Sequence, residues 1–348
     1  MDWMIYGANG YTGELAAREA VQRGLRPILA GRSREAVSAL ADELGLPCRV
    51  FGLDDVQSVR QALDGVGLVL HCAGPFSATA APMLEACLAA RCHYLDITGE
   101  IDVFAHCHAQ DERAKAAGIV VLPGAGFDVV PTDCLAAMLK RDLPDARALV
   151  LAFDAGGGPS PGTAKTSVEG LGKGGRARID GRVEKVPLAW KARSFDRDGQ
   201  SRHAMTIPWG DVYTAHVSTG IPDIEVYMAV PPATVKRLRR MRPFGALLGW
   251  GPVQAFLKRQ VAKKVRGPSA ERRGRTDTFV WGEATGADGT VLKKTLRTPN
   301  GYELTVTASL GIVGRLLDGP APAPGFHTPS LLMGADYVLS LPGVRLAG

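Results

Sequence analysis

The chain opens on a strand, a glycine loop and a helix in quick succession. Asp2–Tyr6 is a short apolar run, Gly7-Ala8-Asn9-Gly10-Tyr11-Thr12-Gly13 follows it, and a helical pattern runs from Tyr11 to Arg23. In a G-x-x-G-x-x-G loop the glycines permit a tight turn, close approach of backbone to a pyrophosphate, and close strand–helix packing. The helix that follows points its first amides and its positive dipole end at bound phosphate. All seven residues are therefore candidate dinucleotide ligands. A glycine-rich turn with no ligand is the plain alternative. A glycine pattern alone is weak evidence, and its place between strand and helix is what carries the argument.

The same alternation continues. Strands are expected at Arg26–Ala30, Cys48–Gly52, Leu68–Cys72, His93–Ile97 and Ile119–Leu122. Helices are expected at Arg34–Glu43, Val56–Leu63, Ala78–Ala90 and Val103–Ala117. Strands separated by helices imply an α/β fold, a doubly wound parallel sheet with helices on both faces. Ligands of such sheets bind beyond the carboxyl ends of the strands.

After the second strand, an NAD site would carry Asp or Glu to hold the ribose 2′-hydroxyl. This chain has Arg32-Ser33-Arg34 there. Two guanidinium groups and a hydroxyl suit a 2′-phosphate, so NADP(H) is the expected cofactor. Asp54, after the third strand, is either an adenine contact or a helix cap. Cys72-Ala73-Gly74-Pro75 after the fourth strand lets backbone lie against a dinucleotide. After the fifth come Asp96, Thr98, Gly99 and Glu100, which either serve the chemistry or cap loops and helices. After the sixth comes Gly124-Ala125-Gly126-Phe127-Asp128, and Thr132 or Asp133 is expected to cap a helix over Cys134–Lys140.

The chain changes character near its middle. Residues 1–150 hold 13 Lys/Arg against 19 Asp/Glu, and residues 151–348 hold 28 against 16. From about 147, Ala146–Phe153, Asp223–Val230, Thr278–Glu283 and Tyr302–Ala308 alternate like strands, and Gly286-Ala287-Asp288-Gly289 suits a hairpin turn. A second α+β domain with a mostly antiparallel sheet follows. Gly156–Gly175 is expected to be a loop, either substrate-facing, with Thr163, Lys165 and Thr166 as anion or carbonyl ligands, or merely connecting.

Residues 236–275 carry 13 Lys/Arg and one acid, Glu271, around the apolar stretch Phe244–Phe256. A dimer contact or lid, a solvated face, an anionic membrane surface and nucleic acid all remain open for it. No nucleic-acid module accompanies the cations, so nucleic acid is the least expected. The six cysteines lie in the first 134 residues without Cys-x-x-Cys spacing, and no secretory signal is evident at the start. A reduced, cytoplasmic setting is therefore expected, with no metal site. No Gly-x-Ser-x-Gly turn suggests a serine hydrolase.

Three segments together resemble a known family. YGANGYTG with ILAGRS, HCAGPF with HYLDITGE, and GAGFDVVPTD are similar to the saccharopine dehydrogenase-like oxidoreductases, in the branch with the trans-acting enoyl reductases. The resemblance implies a Rossmann NADP-binding domain over 1–130, a second α+β domain over 131–325 for substrate and dimerisation, and a segment 326–348 packing back on the first. It implies a cofactor role for Gly7, Gly10, Gly13, Arg32, Gly74 and Pro75. Tyr94, Asp96, Gly99 and Glu100 match its Y-x-D-x-x-G-E segment.

The expected function is NADP(H)-dependent reduction of a C=C (enoyl) or C=N (imine) bond in a small or acyl substrate, by a homodimer. Such a reduction needs a proton donor beside the hydride. Tyr94, Asp96, Glu100 and Asp128 are the candidates. A nucleotide-sensing or scaffold protein without turnover is the alternative from another class.

Overall fold

The computed structural model describes residues 1–156 and 158–347, apart from the side chains of Ala246, Ala262 and Lys263. Contacts divide the chain into two units. Met1–Val130 joins Leu304–Met333, and Pro131–Glu303 joins Gly334–Gly348. The segment that returns to the first unit is thus Leu304–Met333, where 326–348 is the expectation from sequence. Gly157 and Gly348, which fall within two of the expected segments, lie outside the described residues.

The first unit runs β1 (Asp2–Tyr6), α1 (Tyr11–Gln22), β2 (Ile28–Gly31), α2 (Arg34–Leu44), β3 (Cys48–Val50), α3 (Val56–Ala62), β4 (Val66–His71), α4 (Phe76–Ala90), β5 (His93–Asp96), α5 (Ile101–His108), α6 (Asp111–Ala117) and β6 (Val120–Leu122). Its sheet is ordered β3-β2-β1-β4-β5-β6, with Gly325–Phe326 added beyond β6. Every pairing in it is parallel. This is the Rossmann order, and the chain reverses direction across the sheet between β1 and β4. Met4, Ile5, Leu29, Leu68, Val69, Leu70, Leu95 and Val121 are fully buried. Cover on both faces explains why these strands are continuous apolar runs rather than alternating ones.

The helix expected over Val103–Ala117 is two helices, broken at Ala109–Gln110. The break puts Asp111 at a helix start, where a carboxylate is favoured. Its Oδ1 accepts the Phe326 amide at 2.7 Å, and the Phe326 ring stacks on His108. The late strand Gly325–Phe326 is fastened there.

The second unit contains α7 (Val130–Asp142), β7 (Ala146–Ala155), α8 (Pro161–Lys173), β8 (Gly175–Ile179), β9 (Arg182–Val186), β10 (Ala192–Arg197), β11 (Gln200–Thr206), α9 (Asp211–Thr219), β12 (Asp223–Ala229), α10 (Pro232–Met241), α11 (Gly245–Gly249), α12 (Gly251–Lys264), α13 (Ala270–Gly274), β13 (Asp277–Gly286) and β14 (Val291–Pro299). The main path is β10-β11-β12-β7-β13-β14, ending on Arg345–Ala347, with β8 and β9 attached to β12. β7 and β12 are parallel, and the other pairings are antiparallel.

The sheet curls. Phe195 on β10 stacks on Trp281 on β13, with ring centroids 5.4 Å apart, although β11, β12 and β7 lie between them in the sheet. Arg197 bonds Asp154 and Asp277 at 2.6 Å each, and Trp281 Nε1 donates to the Asp196 carbonyl at 2.7 Å. The fold-over buries Ala152, Ala204, Tyr227 and Phe279.

Three local expectations are corrected. Tyr302–Ala308 is not a strand but the start of the helix Gly301–Asp318. Its first residues alternate, yet burial continues at helical spacing through Ile312, Val313 and Leu316. Asn300 Oδ1 accepts the Tyr302 amide at 3.1 Å and so marks the start. Gly156–Gly175 is not a loop, since α8 occupies 161–173. Ser160 caps α8 by accepting the Thr163 amide at 3.2 Å, and Pro161 takes the first helical position. Thr163, Lys165 and Thr166 therefore stand on a helix. Finally, α7 begins at Val130, so Thr132 and Asp133 lie within its first turn. Asp133 accepts the Ser218 hydroxyl at 2.5 Å.

Packing of α7 on β13 is tight at Gly282, where an added Cβ would stand 2.5 Å from Leu139 Cδ1 and 3.0 Å from Leu135 Cδ2. Gly282→Val is expected to cost about 1–3 kcal/mol by overpacking. Urea unfolding measures this, and an unchanged midpoint would refute the packing described.

Candidate functional site

The loop after β1 is built on two close approaches. Gly7 has φ +82°, and a Cβ there would lie 2.8 Å from the Ala73 amide nitrogen. A Cβ on Gly13 would lie 2.2 Å from the Gly7 carbonyl oxygen. Any side chain at either position would push the loop, the helix or the neighbouring strand end apart. Gly7 and Ala8 donate to the Ala30 carbonyl at 2.7 and 3.0 Å, and Gly10 donates back to Gly7 at 2.9 Å. Tyr11 and Thr12 open α1, whose cap position, Gly10, offers no side-chain acceptor. With no side-chain cap there, the start of α1 suits an external anion. Asn9 Oδ1 lies against Gly31, 2.8 Å from where a Cβ would stand.

Arg32, Ser33 and Arg34 follow β2 and are exposed. Ser33 caps α2 by accepting the Ala36 amide at 3.4 Å. Neither arginine has a carboxylate ion partner among the described residues. Both guanidinium groups are therefore available to a phosphate. The Arg32 and Asp54 charges both reach the Tyr6 hydroxyl, which burial pushes up to about 12 and which donates to the Phe51 carbonyl at 3.2 Å. Asp54 lines an open cleft of about 620 Å³ with Phe51, Gly52 and Ser58. It is not the cap of α3. Asp55 is, accepting the Gln57 and Ser58 amides at 3.2 and 3.1 Å.

The loop after β4 holds Cys72, Ala73, Gly74 and Pro75. The Cys72 amide donates to the Tyr6 carbonyl at 2.8 Å, which fastens this loop to the glycine loop. Burial, with the Asp96 charge adding, pushes the Cys72 thiol up to about 12, so it is no nucleophile at neutral pH. Two residues missed by sequence reasoning shape the loop. His71, fully buried, has Nε2 3.0 Å from Thr79 Oγ1, and Thr79 Oγ1 donates to the Ala73 carbonyl at 2.7 Å. Because Thr79 gives its proton to Ala73, the imidazole is the donor to Thr79 and carries its proton on Nε2. Burial pushes His71 down to about 3, so the ring stays neutral. The signal was a histidine at a strand end followed eight residues on by a threonine.

Three of the four candidate proton donors carry hydrogen bonds within the fold. Tyr94 and Asp96 are fully buried, and the Tyr94 hydroxyl donates to Asp96 Oδ2 at 2.7 Å. Asp96 Oδ1 also accepts the Thr98 and Gly124 amides at 2.9 Å each. Burial pushes Asp96 up to about 6, against the pull of these hydrogen bonds. Asp96 therefore ties the turn after β5 to the turn after β6 rather than facing a ligand. Thr98 Oγ1 accepts the Glu100 amide at 3.1 Å. The Glu100 carboxylate reaches back 24 residues and accepts the Phe76 and Ser77 amides at 2.9 Å each. It caps α4 from the turn between β5 and α5, where its charge meets the positive end of the helix. Both of its oxygens accept hydrogen bonds there.

Asp128 differs. It is partly exposed, and its carboxylate packs on Gly99, 2.7 Å from where a Cβ would stand. Burial, and then the Glu100 charge, push it up to about 7. The glycine loop, the β4 loop, Glu100 and Asp128 are thus linked in one chain of contacts beyond the carboxyl ends of β1, β4, β5 and β6. Among the described residues no group of His, Cys, Asp or Glu is arranged to hold a metal ion.

Residues 3–122 match the model of the saccharopine dehydrogenase NADP binding domain. That match lies in the first part of the chain, which carries a domain of this kind. It is 30% identical over 144 residues to a trans-acting enoyl reductase of Mycobacterium ulcerans, covering 37% of this chain and 33% of that one. It is 25% identical over 201 residues to a mouse saccharopine dehydrogenase-like oxidoreductase, covering 50% and 47%. The chain spans less than half the length of such relatives. In fold it resembles apo saccharopine dehydrogenase (L-Glu forming) of Saccharomyces cerevisiae, with a TM-score of 0.67 over the whole of both chains at 11% identity. The domain's cofactor class fits the two close glycine contacts, the open helix start and the two unpaired arginines.

Replacing Asp96 tests its structural part. Asp96→Ala strands a buried phenol and two amides, and is expected to cost about 3 kcal/mol. Asp96→Asn keeps an acceptor and should cost less. Equal stability of all three proteins in urea would exclude the tie between the two turns.

Proposed function

We propose that this protein is an NADP(H)-dependent oxidoreductase that reduces a C=C or C=N bond, with Asp128 as its proton donor. The observation that carries the reading is the Asp128 carboxyl, partly exposed and held near neutrality beside Glu100. Bound NADPH would supply a hydride to one atom of the double bond. The other atom needs a proton, and the Asp128 carboxyl gives it, is left as carboxylate, and recovers a proton from water. A donor with a pKa near 7 is efficient at neutral pH because it is substantially protonated yet still acidic.

The glycine loop and the start of α1 would hold the pyrophosphate, and Arg32 and Arg34 the 2′-phosphate. Glu100 does two things at once. It fixes the start of α4 after Gly74-Pro75, and its negative charge adds to burial in keeping the proton on Asp128. The M. ulcerans relative, named an enoyl reductase, favours an enoyl substrate over an imine.

Removing both arginines (Arg32→Ala with Arg34→Ala) is expected to weaken NADPH binding by about 100-fold and NADH binding by less than about threefold, since only NADPH carries the phosphate they grip. Titration of each nucleotide reads the difference, and equal losses would count against the cofactor assignment.

Asp128→Asn should abolish most turnover while leaving NADPH affinity unchanged. In the unaltered protein kcat/KM should fall as pH rises through about 7. Glu100→Gln removes the charge that holds the proton, so the same fall should begin at lower pH. Stability gives an independent reading. The folded pKa of Asp128 lies above its ordinary 3.8, so its share of stability is present below about pH 4 and lost as pH rises through 7. Asp128→Asn should therefore gain stability relative to the parent between pH 4 and 8. A variant that keeps full activity in an enoyl and imine panel would falsify the donor assignment. Tight NADPH binding with no turnover of any substrate would favour a sensor.

A further inference from the structure

The basic stretch 236–275 takes no part in this reading. In the structure it forms α10, α11, α12 and α13. Phe244, Leu247, Trp250 and Phe256 are 57%, 53%, 59% and 60% exposed. Every large aromatic side chain that stands exposed among the described residues lies in these 13 positions. The other exposed large apolar side chains, such as Val21, Val56 and Val291, are aliphatic and scattered. Scattered ones need no explanation, but a cluster of this kind marks an interaction surface.

The cations around it carry unspent charge. Lys236, Arg237 and Arg240 on α10 are exposed and have no ion partner among the described residues, and the same holds for Arg259 on α12. Arg239 and Arg242 bond only the backbone carbonyls of Leu188, Ala189 and Trp190, which leaves their charge uncompensated. Phe256 and Arg259 are three residues apart on one helix, so ring and cation share a face.

We propose that α10 to α12 dock this protein on an anionic lipid surface, with Phe244, Leu247, Trp250 and Phe256 in the headgroup boundary and the flanking cations on the headgroups. Charge decides between occupants. A second copy would set Lys236, Arg237, Arg240 and Arg259 against the same cations, and like charges across an interface are strongly unfavourable. An anionic bilayer accepts the two features together, since aromatic rings favour its interface and cations its headgroups. The docking is peripheral, because no helix among the described residues is long and apolar enough to cross a membrane.

The test is sedimentation of the full chain with phosphatidylcholine vesicles, with and without about 30% phosphatidylserine. Binding is expected only to the anionic vesicles, falling at least about tenfold when salt rises to about 0.5 M. Two variants, Trp250→Ala with Phe256→Ala, and Arg237→Glu with Arg240→Glu, should each lose about tenfold or more while melting as the parent does. Brominated lipid should quench the parent's fluorescence, and Trp250→Phe should lose that quenching. The proposal is overturned by equal pelleting with both vesicle types, by no pelleting, or by variants that bind as the parent. It is equally overturned if the parent ignores vesicles but binds duplex DNA, or forms a dimer that the Trp250/Phe256 variant abolishes.

Discussion

Much of the first unit hangs on one buried carboxylate. Asp96 lies at the end of β5 with no exposed surface, and it accepts from the Tyr94 hydroxyl, the Thr98 amide and the Gly124 amide. A carboxylate placed so deeply is costly unless its oxygens are satisfied, and here the satisfying groups come from two different turns. The result is rigid spacing between the loops after β5 and β6. That spacing brings Asp128 against Gly99 and within the field of Glu100. Burial alone would raise both aspartates. In Asp96 the hydrogen bonds oppose burial, whereas in Asp128 the neighbouring charge adds to it.

The glycine loop shows the complementary device, in which function depends on atoms that are missing. Gly7 and Gly13 leave room for the Ala73 backbone and the Gly7 carbonyl respectively. Neither contact stabilises the fold much, but each keeps the backbone of β1, α1 and the β4 loop close enough to offer amides to one ligand. An NADP-binding domain thus lies in the acidic half of the chain, and Arg32 and Arg34 are the cations proposed for the phosphate. Net charge over the half is the wrong scale on which to judge its ligand, because the relevant field is set within a few ångströms.

The six parallel strands were legible because each is a short apolar run between helical stretches, and their ends fell within two residues of the observed ones. Legibility failed where two periods overlap. Tyr302–Ala308 alternates for seven residues, but the helix it belongs to is 18 residues long, and length should have outweighed alternation. It failed again at 156–175, where glycine content concealed a Ser160-Pro161 helix start. The candidate cofactor positions were read as loop positions after strands, and the loops stand where the topology put them. The roles of Asp96 and Glu100 were not. Both depend on partners more than 20 residues away, on a different loop or helix, and no local pattern encodes that Glu100 caps α4.

The division of labour among the acids follows from where each can send its charge. Glu100 spends its charge on two amides at the start of α4, and Asp96 spends its charge inside the sheet. Asp128 and Glu100 both keep partial exposure, and Asp128 is the one whose carboxyl is raised by burial and by a like neighbour. Holding a proton at neutral pH lowers the stability of the fold as pH rises, and a carboxamide of the same shape would avoid that cost. Perturbed acids of this kind concentrate at sites that move protons, and the donor role proposed for Asp128 rests on that tendency.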